Sequence, residues 1–155
     1  MNRKAFTLIE LLVVIIILGV LAALITGNFF TSLKKGRDAK RKADLEQIQR
    51  SLEMYYEDKK TYPLTDELIF GTSLTDTVSG KVYMQNLPND PSGKTYEYLS
   101  SDGTDYKLFA CLENNLQRLA YISSGSSLSC GLCRNFDDTA DVSCLLGISS
   151  SNISP

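Results

Sequence analysis

The chain has 155 residues, which is enough for one domain with an appendage but short for two full domains. It carries 16 Lys and Arg against 18 Asp and Glu, and this net charge of −2 predicts no general affinity for nucleic acid. It contains no histidine, which excludes Ser-His-Asp and Cys-His catalysis, the usual imidazole ligands of zinc and the commonest general base near neutral pH. The lack of histidine does not exclude chemistry carried by carboxylate, Lys or Tyr side chains, or sites built only from cysteines.

An unbroken apolar run occupies residues 11–25. Extended back to Phe6 it has 20 residues, interrupted only by Thr7 and Glu10. At about 1.5 Å per residue it makes about 30 Å of helix, the thickness of the hydrocarbon core of a bilayer. A cleaved signal peptide also begins with basic residues followed by an apolar stretch. Its apolar core is shorter, however, and is followed by a cleavage site of small residues. We therefore interpret the run as a retained membrane anchor.

Charge is unevenly distributed along the chain. Residues 1–42 carry eight Lys and Arg with two acids, whereas residues 43–155 carry eight with sixteen acids. By the positive-inside rule, the basic residues that follow the apolar run place the C-terminal body in the cytoplasm. The four cysteines favour the opposite side, because disulfides persist outside the cytoplasm. The basic cluster consists of Lys34, Lys35, Arg37, Lys40, Arg41 and Lys42.

Helical periodicity continues beyond the basic cluster. No proline occurs before Pro63, so one helix is predicted from about residue 7 to about residue 58, with its weakest point at Gly27-Asn28. One stripe of this helix is apolar and the charged residues lie off it. The stripe consists of Leu45, Ile48, Leu52 and Tyr55 or Tyr56.

Short strands and turns are predicted after the helix. Residues 95–99 and 106–111 alternate, and the polar turn between them contains Asp102-Gly103, so we predict an antiparallel hairpin. The alternation places Tyr96 and Tyr98 on one face of the first strand, and Tyr106, Leu108 and Ala110 together on one face of the second. Residues 81–84 and 119–122 are further strand candidates, and the Ser-rich stretches 123–129 and 149–155 are predicted to be a loop and a loose tail. The predicted class is α+β, with the C-terminal half of a long helix packed on a small antiparallel sheet.

Glu10 is the most informative single residue. A carboxylate this far into an apolar helix costs several kcal/mol in lipid unless it is paired, protonated or near the interface. One interpretation is that Glu10 lies shallow enough to remain hydrated. The other requires a cation at the same depth, and a cut just before Phe6 would create one. The new α-amino group of one chain would then neutralise Glu10 of its neighbour.

These residues resemble a known family. Residues 3–14, Arg-Lys-Ala-Phe-Thr-Leu-Ile-Glu-Leu-Leu-Val-Val, are similar to the cleavage and methylation segment of type IV pilins and type II secretion pseudopilins. The resemblance implies cleavage between Ala5 and Phe6 by a membrane aspartic peptidase, N-methylation of Phe6, and helical filaments whose core is a bundle of N-terminal helices. The family usually has glycine where this chain has Ala5. Alanine is the nearest small substitute, so we expect cleavage here, with a lower rate as the alternative.

The resemblance also implies an orientation and a set of partners. The leader stays in the cytoplasm and the body lies outside, which we prefer to the charge rule. It implies a leader over residues 1–5, a transmembrane assembly helix over residues 6–27 and a pilin-like extracytoplasmic head over residues 28–155. The implied partners are further subunits of a homo- or hetero-polymer, the prepilin peptidase and methyltransferase, the inner-membrane assembly platform and the membrane itself. Sequence-specific binding of nucleic acid is not expected.

A second resemblance covers part of the head. Residues 37–45, 55–56 and 61–63 are similar to the end of the helix and the Tyr-Pro exit of many pilin-like subunits. Residues 87–98 are similar to the L-P-x-D-P-x-G-x-x-Y segment of the major secretion pseudopilin. Two prolines around an aspartate form a rigid, extended turn, and an ordinary turn explains this shape equally well. Beyond about residue 111 the chain departs from the family pattern.

The major pseudopilin resembled here has a Gly/Asp-rich loop that binds calcium in its C-terminal region. This chain has Asp137, Asp138 and Asp141 instead, which are hard oxygen ligands without the spacing of an EF-hand. A solvated acidic loop is the simpler interpretation, because aspartates are usually exposed. We therefore predict no cofactor and no metal, with calcium as the alternative.

The four cysteines lie at positions 111, 130, 133 and 144. A zinc site usually has two C-x2-C pairs where this chain has one, and a thioredoxin-like role lacks the βαβ setting. Outside the membrane, two structural disulfides are the simplest use of four cysteines. We predict Cys111–Cys130 and Cys133–Cys144 among the three possible pairings.

The function predicted from the sequence is structural: a filament subunit that polymerises through its N-terminal helix, with a Phe6–Glu10 pair setting the axial register. The basic cluster and the acidic head are expected to add salt bridges between subunits, and Gly27-Asn28 to permit local unwinding of the helix in the filament. A membrane-anchored enzyme finds no support in the residues. A monomeric, membrane-anchored binding module is the alternative. Within the family, a pilin and a secretion or DNA-uptake pseudopilin both stay open.

Overall fold

The computed structural model describes residues 6–114, 126–134 and 141–150, without the side chains of residues 25–28, 132–134 and 141–143. The chain divides into two compact units, Met1–Lys34 and Lys35–Pro155. The predicted long helix is present as α1, Leu8–Lys59. Among the described residues, no single helix has the length and composition needed to cross a membrane, and the segments Leu8–Leu24 and Phe29–Lys59 pass that test only as a bent pair.

Helix α1 ends where its sequence predicts. Lys60 has a φ of +57°, the left-handed conformation that commonly follows the last helical residue. The Lys60 backbone N–H donates to the carbonyl oxygen of Tyr56 at 2.7 Å, which satisfies one of the last free carbonyls. Pro63 then prevents any return to helix.

Seven short strands follow the helix in the described part of the chain. The main sheet has three antiparallel strands in the order β3-β4-β7, with β4 in the centre. Two further antiparallel pairs are β1 with β2 and β5 with β6. In chain order the strands are β1 Leu74–Thr75, β2 Val82–Met84, β3 Glu97–Leu99, β4 Lys107–Cys111, β5 Leu132–Arg134, β6 Asp141–Ser143 and β7 Leu145–Ser149.

The predicted hairpin is confirmed as β3 and β4, with Tyr98 opposite Leu108. The strand predicted at residues 81–84 is confirmed as β2. The prediction of a loose tail from residue 149 is wrong at its start, because Ser149 ends β7 and the following Ser150 is buried. β7 pairs with a strand more than thirty residues earlier in the chain, and its Ser-rich surroundings conceal this pairing. The predictions for residues 119–122, 123–125 and 151–155 lie outside the described residues.

The core of the second unit lies between helix α1 and the main sheet. The predicted helical stripe is confirmed, since Leu45, Ile48 and Leu52 have no exposed surface. These side chains form one cluster with the residues that the alternation groups on one face of each hairpin strand, and the structure shows that this face points into the core. These residues are Tyr96, Tyr98, Tyr106, Leu108 and Ala110. The α+β class is therefore confirmed. Phe109, on the opposite face of β4, is also buried, so both faces of this central strand are covered.

Candidate functional site

The N-terminal part of α1 presents apolar side chains on every side. The large apolar residues between Phe6 and Leu33, leaving out residues 25–28, are between 43% and 85% exposed in the single chain. A helix that is apolar all round is stable when it is buried in lipid or among other helices. This surface is therefore one that the chain uses against a membrane or against other molecules.

Thr7 caps this helix together with Glu10. The Thr7 backbone N–H donates to Glu10 Oε2 at 2.9 Å, and its hydroxyl donates to the same oxygen at 2.6 Å. In return, the Glu10 backbone N–H donates to Thr7 Oγ1 at 3.3 Å. This reciprocal arrangement is a capping box, whose sequence signature T-x-x-E is present in residues 7–10. The role of Thr7 is not among the predictions made above from the sequence, although the local T-x-x-E signature would have predicted it.

The capping box gives Glu10 a hydrogen-bonding partner within its own chain. The carboxylate is therefore held at the first turn of the helix, beside Phe6, where the predicted amine would be created. The pairing of Glu10 with the amine of a neighbour needs a second chain and stays a prediction. Ala5, on the other side of the predicted cut, lies outside the described residues.

A buried ion network joins helix α1 to the rest of the head. Arg41 has no exposed side-chain surface, and its guanidinium donates to Asp90 at 2.5 Å, Glu113 at 2.6 Å and Asp38 at 2.7 Å. It also donates to Ser92 Oγ at 2.8 Å. A buried charge is tolerated only when it is paired and hydrogen-bonded, and three carboxylates meet that condition here.

Two carboxylates of the network, those of Glu113 and Asp90, are held ionised by their partners. Arg37 donates to Glu113 at 2.5 Å and, with Arg41, lowers the pKa of Glu113 to about 2. Burial alone would raise the pKa of Asp90, but hydrogen bonds from Arg41 and Ser92 outweigh it and lower that pKa to about 2. Burial works against the charged form of Arg41 as well, and its hydrogen bonds to Asp90, Glu113 and Asp38 raise its pKa further above the ordinary value.

Asp38 extends the network to the backbone beyond β4. Its two carboxylate oxygens accept the backbone N–H groups of Glu113 and Asn114, each at 2.9 Å. Asp38 and Arg41 lie on the helix, Asp90 in the turn before β3, and Glu113 just after β4. Three segments distant in the sequence are therefore fastened at one buried point.

This network corrects one expectation about the basic cluster and explains one motif. Arg41 is buried within its own head, and Arg37 is ion-paired there, so Arg41 is excluded from salt bridges between subunits.

The motif that the network explains is the Pro-Asn-Asp-Pro turn. Its Asp90 pairs with Arg41 as well as shaping the backbone. The two segments of the second resemblance therefore meet in space, which an ordinary turn does not account for.

The cysteines form structural disulfides in the described part of the chain. Cys111 at the end of β4 is bonded to Cys130, as predicted. Cys144 is also disulfide-bonded, and it packs with Leu112, Cys130 and Leu146 in a second small core. The side chain of its predicted partner, Cys133, lies outside the described residues.

The structure leaves the calcium alternative untested. Asp137 and Asp138 lie outside the described residues, and Asp141 is described only as the first backbone position of β6. Within the part of the chain that the structure describes, no group of three or more Cys, Asp or Glu side chains is arranged to hold a metal ion.

Comparison with known proteins identifies the two regions that carry this geometry. The model of the family described as "Prokaryotic N-terminal methylation motif" matches residues 1–26, which include the capping box and the predicted cleavage site. The model of the family described as "Type II secretion system (T2SS), protein G" matches residues 28–116, which include Arg41 and all of its partners. The chain belongs to the type II secretion system protein G family.

Three relatives in this family match segments of the chain that are similar in length. The "Type II secretion system core protein G" of Vibrio cholerae serotype O1 is 35% identical over 105 residues, which cover 64% of this chain and 72% of that protein. The protein of the same name from Klebsiella pneumoniae is 35% identical over 108 residues, 64% of this chain and 76% of that protein. The one from Pseudomonas aeruginosa is 32% identical over 106 residues, 64% of this chain and 75% of that protein. No solved structure matches the chain significantly.

The protein G match ends at residue 116, close to the predicted limit of residue 111. Three of the four cysteines, and the strands β5, β6 and β7, lie beyond it. This chain therefore completes its main sheet with a segment that the family model does not cover.

Proposed function

We propose that this chain is a structural subunit of a type II secretion pseudopilus, processed by prepilin peptidase and polymerised through its N-terminal helix. The observation that carries the proposal is the apolar first part of α1 with Thr7 and Glu10 at its start, within a methylation motif and joined to a protein G head. The cleavage segment supplies the processing site, and the helix supplies the surface that packs in a filament.

The finer parts of the proposal concern location and partners. Before assembly the subunit is anchored in the inner membrane with its leader inside and its head outside, and it then joins a periplasmic filament. Its partners are other pseudopilins, the prepilin peptidase and methyltransferase, and the assembly platform of the inner membrane. The disulfide Cys111–Cys130 supports a head outside the cytoplasm, because disulfides form and persist in oxidising compartments.

The mechanism follows from the cost of the Glu10 carboxylate. In lipid this charge is costly, whereas the amine of Phe6 in a neighbouring subunit would neutralise it at the same depth. Assembly then exchanges helix–lipid contact for helix–helix contact and gains an ion pair that only one stagger of the helices brings together. The subunit performs no chemistry of its own in this proposal, and the relatives are named for a core protein of the secretion system.

Electron microscopy of material sheared from cells that express the chain with its processing and assembly proteins tests this function. We expect filaments that contain the processed chain, with an N-terminus at Phe6. An anchored monomeric binding module is the alternative, and it would yield processed or unprocessed chain in the membrane without filaments.

A further inference from the structure

A groove on the flank of helix α1 lies in the head, beside the end of β7. Its lining includes the apolar side chain of Met54, which is 52% exposed, and the carboxylates of Glu46 and Glu53. Glu53 already accepts the hydroxyl groups of Tyr62 and Tyr106, at 3.0 and 3.2 Å, so it is fixed in place. The lining residues are Glu46, Gln49, Arg50, Glu53, Met54 and Ser149.

The basic cluster is divided by its contacts. Arg37, Lys40 and Arg41 form ion pairs with acids of their own head. Lys34 and Lys35 are exposed, and neither forms an ion pair with a residue that the structure describes. Lys42 is exposed as well, but it has an interaction within the chain. Lys34 and Lys35 are therefore the two adjacent exposed cations of the cluster on which the inference below is built.

We infer that the groove around Glu46 receives Lys34 and Lys35 of a second copy of this chain in the filament. This inference rests on the proposed function and names the surface through which the heads meet. The groove carries two carboxylates and the guanidinium of Arg50, which lies 3.7 Å from Glu46 in an exposed pair, so its net charge is negative and complements the basic pair. They also lie at different heights on the same helix, so parallel copies can match them only after an axial shift.

The required shift agrees with the predicted register. Lys35 and Glu46 are eleven residues apart, and Lys34 and Glu46 are twelve, which corresponds to about 16–18 Å along a helix that rises 1.5 Å per residue. A Phe6–Glu10 pair shifts adjacent copies by about four residues, or about 6 Å. Three such steps add up to about 18 Å, which is the length of the shift that Lys34 and Glu46 require. The shift that the groove requires is therefore close to a whole number of the steps that the predicted Phe6–Glu10 pair would set.

The experiment measures the yield of filaments from cells that express the full chain with its processing and assembly proteins. Glu46→Lys places a cation in the groove and should lower the yield several-fold. Gln47→Lys is the matched control, because Gln47 is exposed at the same height but does not line the groove, and it should leave the yield near that of the wild type. The combination of Lys34→Glu, Lys35→Glu and Glu46→Lys reverses both partners and should recover much of the loss.

A separate control tests whether the Glu46→Lys variant still folds. Within the described head, the ion pair of Glu46 is the one with Arg50, at 3.7 Å and with both side chains well exposed. Such a pair contributes little to stability, so Glu46→Lys should leave the thermal midpoint unchanged. As a second measurement, Lys35→Cys and Glu46→Cys chains are co-expressed and treated with a short bis-maleimide. No described cysteine is free, so the introduced thiols are the ones that should react, and a crosslinked dimer is expected in filaments but not in detergent.

Two results would overturn the inference while leaving the proposed function standing: wild-type filaments with equal yields for Glu46→Lys and Gln47→Lys, or no recovery in the combined variant. Absence of the crosslink in well-formed filaments would also overturn it. If the wild-type chain forms no filaments, the proposed function itself fails. Higher salt should weaken the contact, since the Debye length is about 8 Å at physiological ionic strength.

Discussion

At the scale of single residues, the head depends on Arg41. A guanidinium with no exposed surface is a liability unless its partners are complete, and Asp38, Asp90 and Glu113 complete them. From the sequence this residue looks like one more member of a solvated basic cluster. Its partners are 3, 49 and 72 residues away, and no local pattern predicts contacts over the longer two separations.

Arg41→Met should lower the free energy of unfolding of the head by about 3–5 kcal/mol, because it leaves Asp38 and Asp90 buried without their cation. Urea denaturation of the full chain in detergent, followed by near-ultraviolet circular dichroism of the tyrosines, measures this. Arg50→Met is the matched control. Its exposed pair with Glu46 is worth about 0–1 kcal/mol, so a similar loss in both variants would contradict the role of Arg41.

The network also predicts how stability depends on pH. The pKa values of Asp90 and Glu113 are lowered to about 2 in the folded head, below the ordinary values of about 3.9 and 4.3. Their contribution is therefore complete above about pH 5 and is lost as the pH falls towards about 2. The free energy of unfolding, measured by urea titration at several pH values, should decline over this window. In Arg41→Met the free energy of unfolding should decline less over this window. An equal pH dependence in the variant and the wild type would show that the Arg41 network is not its cause.

At the scale of elements, the hairpin turn and the C-terminal strand are fixed by different means. Gly103 lies in the turn predicted from Asp102-Gly103, and its φ of +73° favours glycine. The carbonyl oxygen of Gly103 accepts the backbone N–H of Tyr62 at 2.8 Å, so the turn also holds the chain that leaves the helix. β7 has no such turn signal and is placed by pairing with β4 beside the Cys111–Cys130 bond.

Gly103→Ala should destabilise the head by more than the roughly 1–2 kcal/mol of a left-handed alanine. A Cβ at this position would lie 2.9 Å from the carbonyl oxygen of Tyr62 and closer still to Thr61 Oγ1. Gly93→Ala separates the two effects, because Gly93 has a φ of +77° but nothing near its Cβ position. Thermal unfolding of both variants gives the comparison, and equal losses would mean that the close approach costs nothing.

The Cys111–Cys130 bond closes a loop with a sequence separation of 19. Its loss should therefore lower the free energy of unfolding by about 2–4 kcal/mol. The measurement compares the wild type and a Cys111→Ser, Cys130→Ser double variant by urea denaturation, with and without a reductant. Reduction should destabilise the wild type strongly and the variant less, and the shift left in the variant reports the bond of Cys144. An unchanged midpoint in the reduced wild type would refute a stabilising role.

At the scale of the whole molecule, two opposite environments share one chain. The first part of α1 presents an apolar surface that needs lipid or neighbours, while the head buries its own core and its own ion network. The net charge of −2 is the sum of a basic start and an acidic remainder that largely cancel. The proposed assembly uses both, since the apolar helix provides contact and Glu10 provides the register.

Glu10→Ala and Glu10→Gln should both leave membrane insertion intact and reduce incorporation into filaments. Glutamine retains an oxygen that can accept the hydrogen bonds of Thr7, whereas it removes the charge that would pair with the amine of Phe6. The measurement is the amount of each variant in sheared filaments relative to the membrane fraction. Normal incorporation of Glu10→Gln beside a defective Glu10→Ala would assign Glu10 to helix capping and reject the register mechanism.

The sequence by itself determined the features whose signals are local. Helical periodicity predicts the helix and its apolar stripe, which consists of Leu45, Ile48 and Leu52. Alternation around a turn predicts the β3–β4 hairpin, and the methylation motif is one contiguous segment. Only the tertiary structure decided that Arg41 is buried, that Asp90 is its partner, and that β7 completes the sheet beyond the family match. The physical reason is that periodicity reports a residue's own face, whereas ion pairing and strand pairing depend on which distant segments the packed core brings together.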